Sequence, residues 1–300
     1  MATFVNGPVR ASVPATSANL GPGFDSLGLA LALRDELEAE IIAEGLVVEV
    51  EGAGAGVVPL DESHLVVRAM RAAFAELGAE PTGLRLACRN VIPHARGLGS
   101  SSAAIVAGIS LARSLVAGGS LLLDDDAVFR LAAGIEGHPD NVAPACYGGF
   151  VISGRDAGRF YAARSSVDPR VSTVVLVPPD PVSTAVARGL LPAEVPHADA
   201  AADAGRTALL VAALAGQPEQ LLRGTRDYLH QEYRRPAMPA SLELVDALRA
   251  DGIPALVSGA GPTVLAFTDG AASAAELMKR CPAGWDAMHL EVATEGVRVG

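Results

Sequence analysis

At 300 residues, half of them hydrophobic, the chain has material for a buried core in one large or two medium domains. Its net charge of −11 excludes a general nucleic-acid binder, which presents a basic face. No apolar run both reaches about 18 residues and lacks charges, which argues against a membrane span. With an aromatic share of only 4%, the core must lean on Ala, Val and Leu. The opening Met1-Ala2-Thr3-Phe4-Val5-Asn6 lacks the basic and apolar regions of a signal peptide. Cys88, Cys146 and Cys281 show no metal-ligand spacing, so a reduced cytoplasmic enzyme is expected.

Residues 8–13 and 27–33 read as short strands around a turn-rich loop at 14–25. Apolar–acidic alternation predicts half-buried strands at 37–42 and 46–50, followed by a surface turn at 52–56. Ser63 is placed to cap a helix running to about Leu77, with Gly78 as its stop. A strand at 84–91 then leads into His94-Ala95-Arg96-Gly97-Leu98-Gly99-Ser100-Ser101-Ser102-Ala103-Ala104. Ile105, Ile109, Ala112 and Leu115 recur at helical spacing and give the next helix a core face. A further helix begins at 124–126 and ends near Gly134. Beyond it, Glu136-Gly137-His138-Pro139-Asp140-Asn141 clusters four polar side chains, with Pro139 suited to a first helical turn. Gly148-Gly149 turns into a strand.

Composition shifts near 165–170, dividing the chain into 1–167 and 168–300. The second part reads as a strand at 174–177, short helices over 183–230 and a helix at 242–248. Strands at 254–258 and 263–267, a helix at 272–280 and a strand at 286–293 complete it. This order fits an α+β architecture.

Four stretches carry chemistry. In the first, Gly97 and Gly99 let the backbone approach a ligand closely, and three serines follow where a helix begins and attracts anions. Lys279 is the only lysine, so the lysine of a Walker-type phosphate loop is missing and that class of NTPase is excluded. A phosphate here must be held by backbone N–H groups, helix dipole, hydroxyls, arginine or metal. In the loop at 14–25, Asn19 and Asp25 can make directional hydrogen bonds, although its plain reading is a connection. Ser258-Gly259-Ala260-Gly261-Pro262-Thr263 is another glycine turn between strands. Thr184 and Arg188, like His230 and Arg234, lie four apart and share a face if helical. Arginines so placed can clamp a carboxylate, although a lone helix arginine more often faces solvent.

Pro14-Ala15-Thr16-Ser17-Ala18-Asn19-Leu20-Gly21-Pro22-Gly23-Phe24-Asp25, Gly97-Leu98-Gly99-Ser100-Ser101 and Ser258-Gly259-Ala260-Gly261-Pro262-Thr263 resemble the three signature motifs of the GHMP small-molecule kinases, in order and spacing. Within that superfamily, His138-Pro139-Asp140-Asn141-Val142-Ala143-Pro144, Ser183-Thr184-Ala185-Val186-Ala187-Arg188 and His230-Gln231-Glu232-Tyr233-Arg234 are similar to the homoserine kinase family. The resemblance implies a two-domain GHMP kinase fold: an ATP-binding N-terminal domain like domain 2 of ribosomal protein S5, and a ferredoxin-like C-terminal domain contributing to the substrate site. It also implies a homodimer that uses ATP and Mg2+ and phosphorylates the side-chain hydroxyl of L-homoserine in threonine biosynthesis.

The resemblance assigns the ATP phosphates to Pro93, His94, Ala95, Arg96, Gly97 and Leu98, continuing through Gly99, Ser100, Ser101, Ser102 and Ala103. Mg2+ falls to Ser101 and Glu136. Arg188 and Arg234, with Thr184, would take the substrate carboxylate; Asn19, Asp25, Asp140 and Asn141 would surround its ammonium and reacting hydroxyl. His138, shaping the loop, and Gly259 complete that set, and Ser101, Asp140 and Asn141 are the catalytic candidates. Asp140 is read as positioning the substrate rather than abstracting its proton. Two features depart from the family pattern: Ser102 stands where many relatives have alanine, and Glu136 precedes Asp140 by only four positions. A GHMP kinase for another alcohol, such as a mevalonate-pathway intermediate, and a catalytically silent interaction module remain as alternatives.

Overall fold

The computed structural model describes residues 2–300. The first part contains β1 (Val9–Ala18), β2 (Leu27–Ile41), β3 (Gly45–Gly52), α1 (Leu65–Glu76), β4 (Gly83–Asn90) and α2 (Ser100–Leu115). There follow the short α3 (Gly119–Leu122), α4 (Asp125–Glu136), α5 (Val142–Tyr147) and the hairpin β5 (Phe150–Asp156) and β6 (Arg159–Ser165). The second part runs β7 (Ser172–Val177), α6 (Thr184–Gly189), α7 (His197–Gly216), α8 (Leu221–Gly224) and a 3-10 helix at Glu232–Ala237. It closes with α9 (Pro239–Ala250), β8 (Ala255–Val257), β9 (Val264–Thr268), α10 (Ala271–Met278), β10 (Asp286–Leu290) and β11 (Arg298–Val299).

Seven strands form the first sheet, in the order β11-β1-β2-β4-β3, with β5 on the near end of β2 and β6 beyond it. Helix α2 is buried along most of its length: Ile105, Ile109, Ala112 and Leu115, the stripe expected from the spacing, are 0–1% exposed. The second sheet is antiparallel in the order β10-β7-β9-β8. Counted by first appearance this is 4-1-3-2, with α9 and α10 in the connections, the ferredoxin-like arrangement. The fold is therefore α+β with two sheets, as expected.

Several local expectations differ. The strands read at 27–33 and 37–42 are one strand, β2; the register on β1 slips at Pro14/Ala15, where Arg34 pairs with Pro14 and Leu31 with Ala15. Arg34 fastens the irregularity, donating to Ser12 Oγ and O (both 2.8 Å) and to Gly296 O (2.7 Å). β1 also runs on to Ala18, so the first loop begins at Asn19. Ser63 does not cap α1, because its N–H and hydroxyl both donate to Asp61 Oδ1 (2.8 and 2.5 Å). Gly78 ends that helix as expected, at φ 60°. α4 continues to Glu136 rather than stopping near Gly134, and α7 is a single helix of 20 residues rather than several short ones. β6 and β11 carry too little apolar alternation to be read from sequence; β11 returns the end of the chain to β1. His230 lies outside any helix and Arg234 sits in the 3-10 segment, so they do not share an α-helical face.

Candidate active site

The three glycine stretches, far apart in sequence, interlock. Ser258 Oγ donates to Gly97 O (2.6 Å) and lies 2.8 Å from Ser17 Oγ. Asn19 Nδ2 donates to Gly259 O (2.8 Å), while Asn19 Oδ1 accepts from Asp25 N (2.9 Å). Gly97 and Gly99 both have left-handed backbones, at φ 77° and 69°. A Cβ on Gly97 would sit 2.2 Å from Ser258 O, and one on Gly99 only 1.9 Å from Thr16 Oγ1. Glycine is needed at both positions for the stretches to meet.

Gly99 caps α2 without any side-chain hydrogen bond, so no capping side chain covers the first N–H groups of this buried helix, the kind of end that can bind an anion. Beside them, Ser101 Oγ and Ser102 Oγ both donate to Glu136 Oε1, at 2.5 and 3.0 Å. The carboxylate at the end of α4 is thus brought to the start of α2 despite its short spacing from Asp140. Arg96 is turned to other work: its guanidinium donates to Pro178 O (3.0 Å), His94 O (3.1 Å) and Pro179 O, tying the cradle to the loop after β7.

A cavity of about 270 Å3 opens here. Its walls include Gly97, Gly99, Ser100, Ser101 and Glu136 together with Asp140, Asn141, Thr184, Arg188 and Arg234. Asn19, Ala95, His138 and Gly259 line it too; Pro93, His94, Arg96, Leu98, Ser102, Ala103 and Asp25 do not.

Charge is distributed within it by pairing. Arg188, on α6, meets Asp25 in a bidentate ion pair (3.1 and 2.5 Å), so two groups assigned to opposite ends of a zwitterion hold each other. That hydrogen bond raises the Arg188 pKa further. Arg234 is 1% exposed, has no carboxylate within ion-pair distance among the described residues, and donates through Nη1 to His230 Nδ1 (2.9 Å) and Gly259 O (3.2 Å). Burial, then the nearby Arg188 charge, lowers its pKa to about 10, which leaves it a cation at neutral pH. His230 bonds Gly21 O through Nε2 (2.8 Å), and burial pushes its pKa down. These contacts fit a neutral ring protonated at Nε2, whose Nδ1 accepts from Arg234. Phe24 is the platform beneath both cations: Arg188 and Arg234 lie 5.5 and 5.6 Å from its ring centre, and the His230 ring stacks at 5.2 Å.

Asp140 is 2% exposed, and its Oδ1 accepts from Asn141 N (3.0 Å) and lies 2.8 Å from His138 Nδ1. Burial disfavours the His138 cation, but the Asp140 hydrogen bond and the Asp140 and Glu136 charges outweigh it and raise the His138 pKa. The close approach of β2 is set by Gly28, where a Cβ would lie 1.9 Å from Asp140 O. Asn141 Oδ1 accepts from Thr16 Oγ1 (2.8 Å), which fixes the amide against β1.

With this geometry in view, comparisons with known proteins are decisive. The model "GHMP kinases N terminal domain" matches residues 64–149, and "GHMP kinases C terminal" matches 209–287. The chain is 54% identical to homoserine kinase of Streptomyces avermitilis over 97% of its own length and 95% of that protein. It is 50% identical to homoserine kinase of Clavibacter michiganensis subsp. michiganensis over 97% and 93%. The chain belongs to the homoserine kinase family. A crystal structure of homoserine kinase from Cytophaga hutchinsonii superposes with a TM-score of 0.86 at 25% identity, over 99% of both chains. L. major mevalonate kinase, at 18% identity and a TM-score of 0.70, shares the fold.

Within this kinase fold, two parts of the site were not foreseen from sequence. Phe24, the cation platform, stood in a stretch singled out only for its glycines and polar side chains. A second cavity, of about 250 Å3, lies beside Ser100 and Ser101 and is lined by Val58, Pro59, Leu65, Asn90 and His94. His94, Ser100 and Ser101 belong to the glycine–serine stretch, but the rest come from β2, the end of β4 and the segment at 58–66, and only folding shows that they meet.

Proposed function

We propose that this chain transfers the γ-phosphoryl group of ATP to the side-chain hydroxyl of L-homoserine, as a homodimer in the cytoplasm. The observation that carries the reading is that a single cavity is walled both by the glycine–serine cradle and by Arg188, Arg234 and Asp140. Kinship at 54% identity supports the substrate. The division at 167/168 into a nucleotide part and a substrate part belongs to the same proposal, with β11 returning to the first sheet.

Phosphoryl transfer needs positioning and charge stabilisation more than covalent help. The N–H groups from Gly97 to Ser102 hold the ATP phosphates, supported by the dipole of α2, worth roughly half a positive charge. The second cavity, where Val58, Pro59, Leu65 and Val66 stand beside Asn90 and His94, takes the nucleoside, whose phosphates then reach Ser100 and Ser101. Among the described residues no three His, Cys, Asp or Glu form a metal cage. Glu136 with the Ser101 hydroxyl instead makes a hard-oxygen set, steadied from behind by Ser102, which fits Mg2+ held by one or two protein ligands plus phosphate. When bound, Mg2+ neutralises charge on the transferring oxygens.

Arg234 supplies the fixed half of the carboxylate site, since among the described residues no carboxylate lies within ion-pair distance of it. Arg188 supplies the movable half, exchanging one oxygen of Asp25 for the substrate and leaving Asp25 to meet the ammonium. Thr184 adds a hydroxyl. Asp140, with Oδ1 already occupied, presents Oδ2 to the ammonium and the reacting hydroxyl, and Asn141 steadies that loop. Asp140 therefore orients the nucleophile.

An ATP-consumption assay across candidate alcohols tests the reading. L-homoserine is expected to support turnover and mevalonate is not; mevalonate turnover without homoserine turnover would overturn it.

A further inference from the structure

A second cationic cavity lies outside the site described above. About 680 Å3 in volume, it sits among α7, α8 and α9 and is lined by Arg206, Arg223, Arg226 and Arg249, with Glu219 and Asp246. On a chain of net charge −11, four guanidiniums against two carboxylates leave an excess of two positive charges here. Asp246 is moreover engaged by Arg235, at 2.9 Å. None of the four arginines forms an ion pair among the described residues, and Arg206 Nε is buried without any hydrogen-bond partner. An excess of positive charge around a cavity of this size, with the Arg223 and Arg226 forks free to reach in, is the arrangement that binds oxyanions.

The cavity also bears on the substrate loop. Arg249 donates to Leu222 O (2.6 Å), Thr225 Oγ1 (2.8 Å) and Ala255 O (3.1 Å), fixing one wall. The carbonyl of Thr225 abuts Gly21, where a Cβ would lie 2.6 Å from it. Thr207 Oγ1, one residue from Arg206, donates to Pro22 O (2.8 Å). Gly21 and Pro22 lead directly into Phe24 and Asp25, the platform and ion-pair partner of Arg188.

We propose that this cavity binds a small phosphate dianion, free or as a monoester, and that its occupancy acts on the substrate loop through Thr225 and Thr207. A dianion matches the two excess charges. Arg223 and Arg226 are exposed and can close over it, while Arg206 and Arg249 are held by their helices.

The experiment fills the ATP cradle first, so that phosphate cannot report on it. Enzyme saturated with Mg2+ and a non-hydrolysable ATP analogue is titrated calorimetrically with inorganic phosphate and, in parallel, with glycerol 3-phosphate. One saturable site per chain is expected, weakened at least about tenfold in the double variant Arg223→Gln/Arg226→Gln, as for loss of charge-assisted hydrogen bonds. Both side chains are exposed, and an unchanged melting temperature of the unliganded variant verifies its fold. Tighter binding of the ester identifies a monoester as the ligand, and tighter binding of phosphate identifies the free ion. The homoserine KM is expected to shift at least about twofold with the bound anion in the native enzyme and not in the variant, as for two coupled sites. Absence of saturable binding, or equal affinity in the variant, overturns the site. A homoserine KM indifferent to the bound anion overturns the coupling.

Discussion

Asp140 shows how one oxygen of a carboxylate can be held within the protein while the other stays free. Its Oδ1 is occupied by His138 and by the Asn141 N–H, which leaves a single oxygen for a substrate. Asp140→Asn should therefore raise the homoserine KM by roughly tenfold or more, the value of a charged hydrogen bond, with a smaller effect on kcat. Steady-state kinetics decide it; abolished turnover with unchanged homoserine binding would show that Asp140 removes the proton. The His138–Asp140 pair also has a pH signature. His138 has a folded pKa raised above its ordinary 6.5, so its contribution to stability is complete below that value and is lost as pH rises through the folded pKa. Melting curves should show His138→Gln least stable relative to the native chain below the ordinary histidine pKa of 6.5, with the gap shrinking as pH rises through the folded pKa. Which residues are polar and near one another in sequence was legible here. That Arg188 and Asp25 form an ion pair 163 positions apart was not, because pairing depends on packing across two parts of the chain.

Among the elements, the glycine loop before α2 is where sequence said most. Its two glycines, its serines and the apolar stripe behind them prescribe strand, loop and helix with local information alone. Gly99→Ala tests the tightest point: the new Cβ would collide with Thr16 Oγ1, and the left-handed backbone adds about 1 kcal/mol. The expected result is a lower melting temperature and an ATP KM raised at least about tenfold, as the helix N-terminus is displaced from the phosphates; native values for both would contradict the close packing seen here. By contrast, the continuity of β2 was hidden by Ala32-Leu33-Arg34, which interrupts the alternation because the register slips there. β11, two residues long, exists only because β1 offers it an edge. Ser63 misled because a serine before a helix can equally serve an aspartate two residues earlier, as it does with Asp61.

At the scale of the whole molecule, three glycine stretches spread over more than 200 residues close on one another, and the cations of the second part arrive above the cradle of the first. The motifs named many of the residues that line the cavity but not its outline, since Arg96, Leu98 and Asp25 lie outside the lining, while the buried state of Arg234 and the Phe24 platform came only with the fold. The central claim is that one cavity has a nucleotide side and an amino-acid side. It is tested most directly by measuring the KM for ATP and for L-homoserine, across a Mg2+ titration, in Glu136→Gln and Arg188→Ala. Arg188→Ala should raise the homoserine KM roughly 10- to 100-fold and leave the ATP KM within about threefold. Glu136→Gln should raise the Mg2+ requirement and the ATP KM with little change for homoserine. If both variants shift the same constant, or Arg188→Ala shifts only that of ATP, the division of the cavity is wrong.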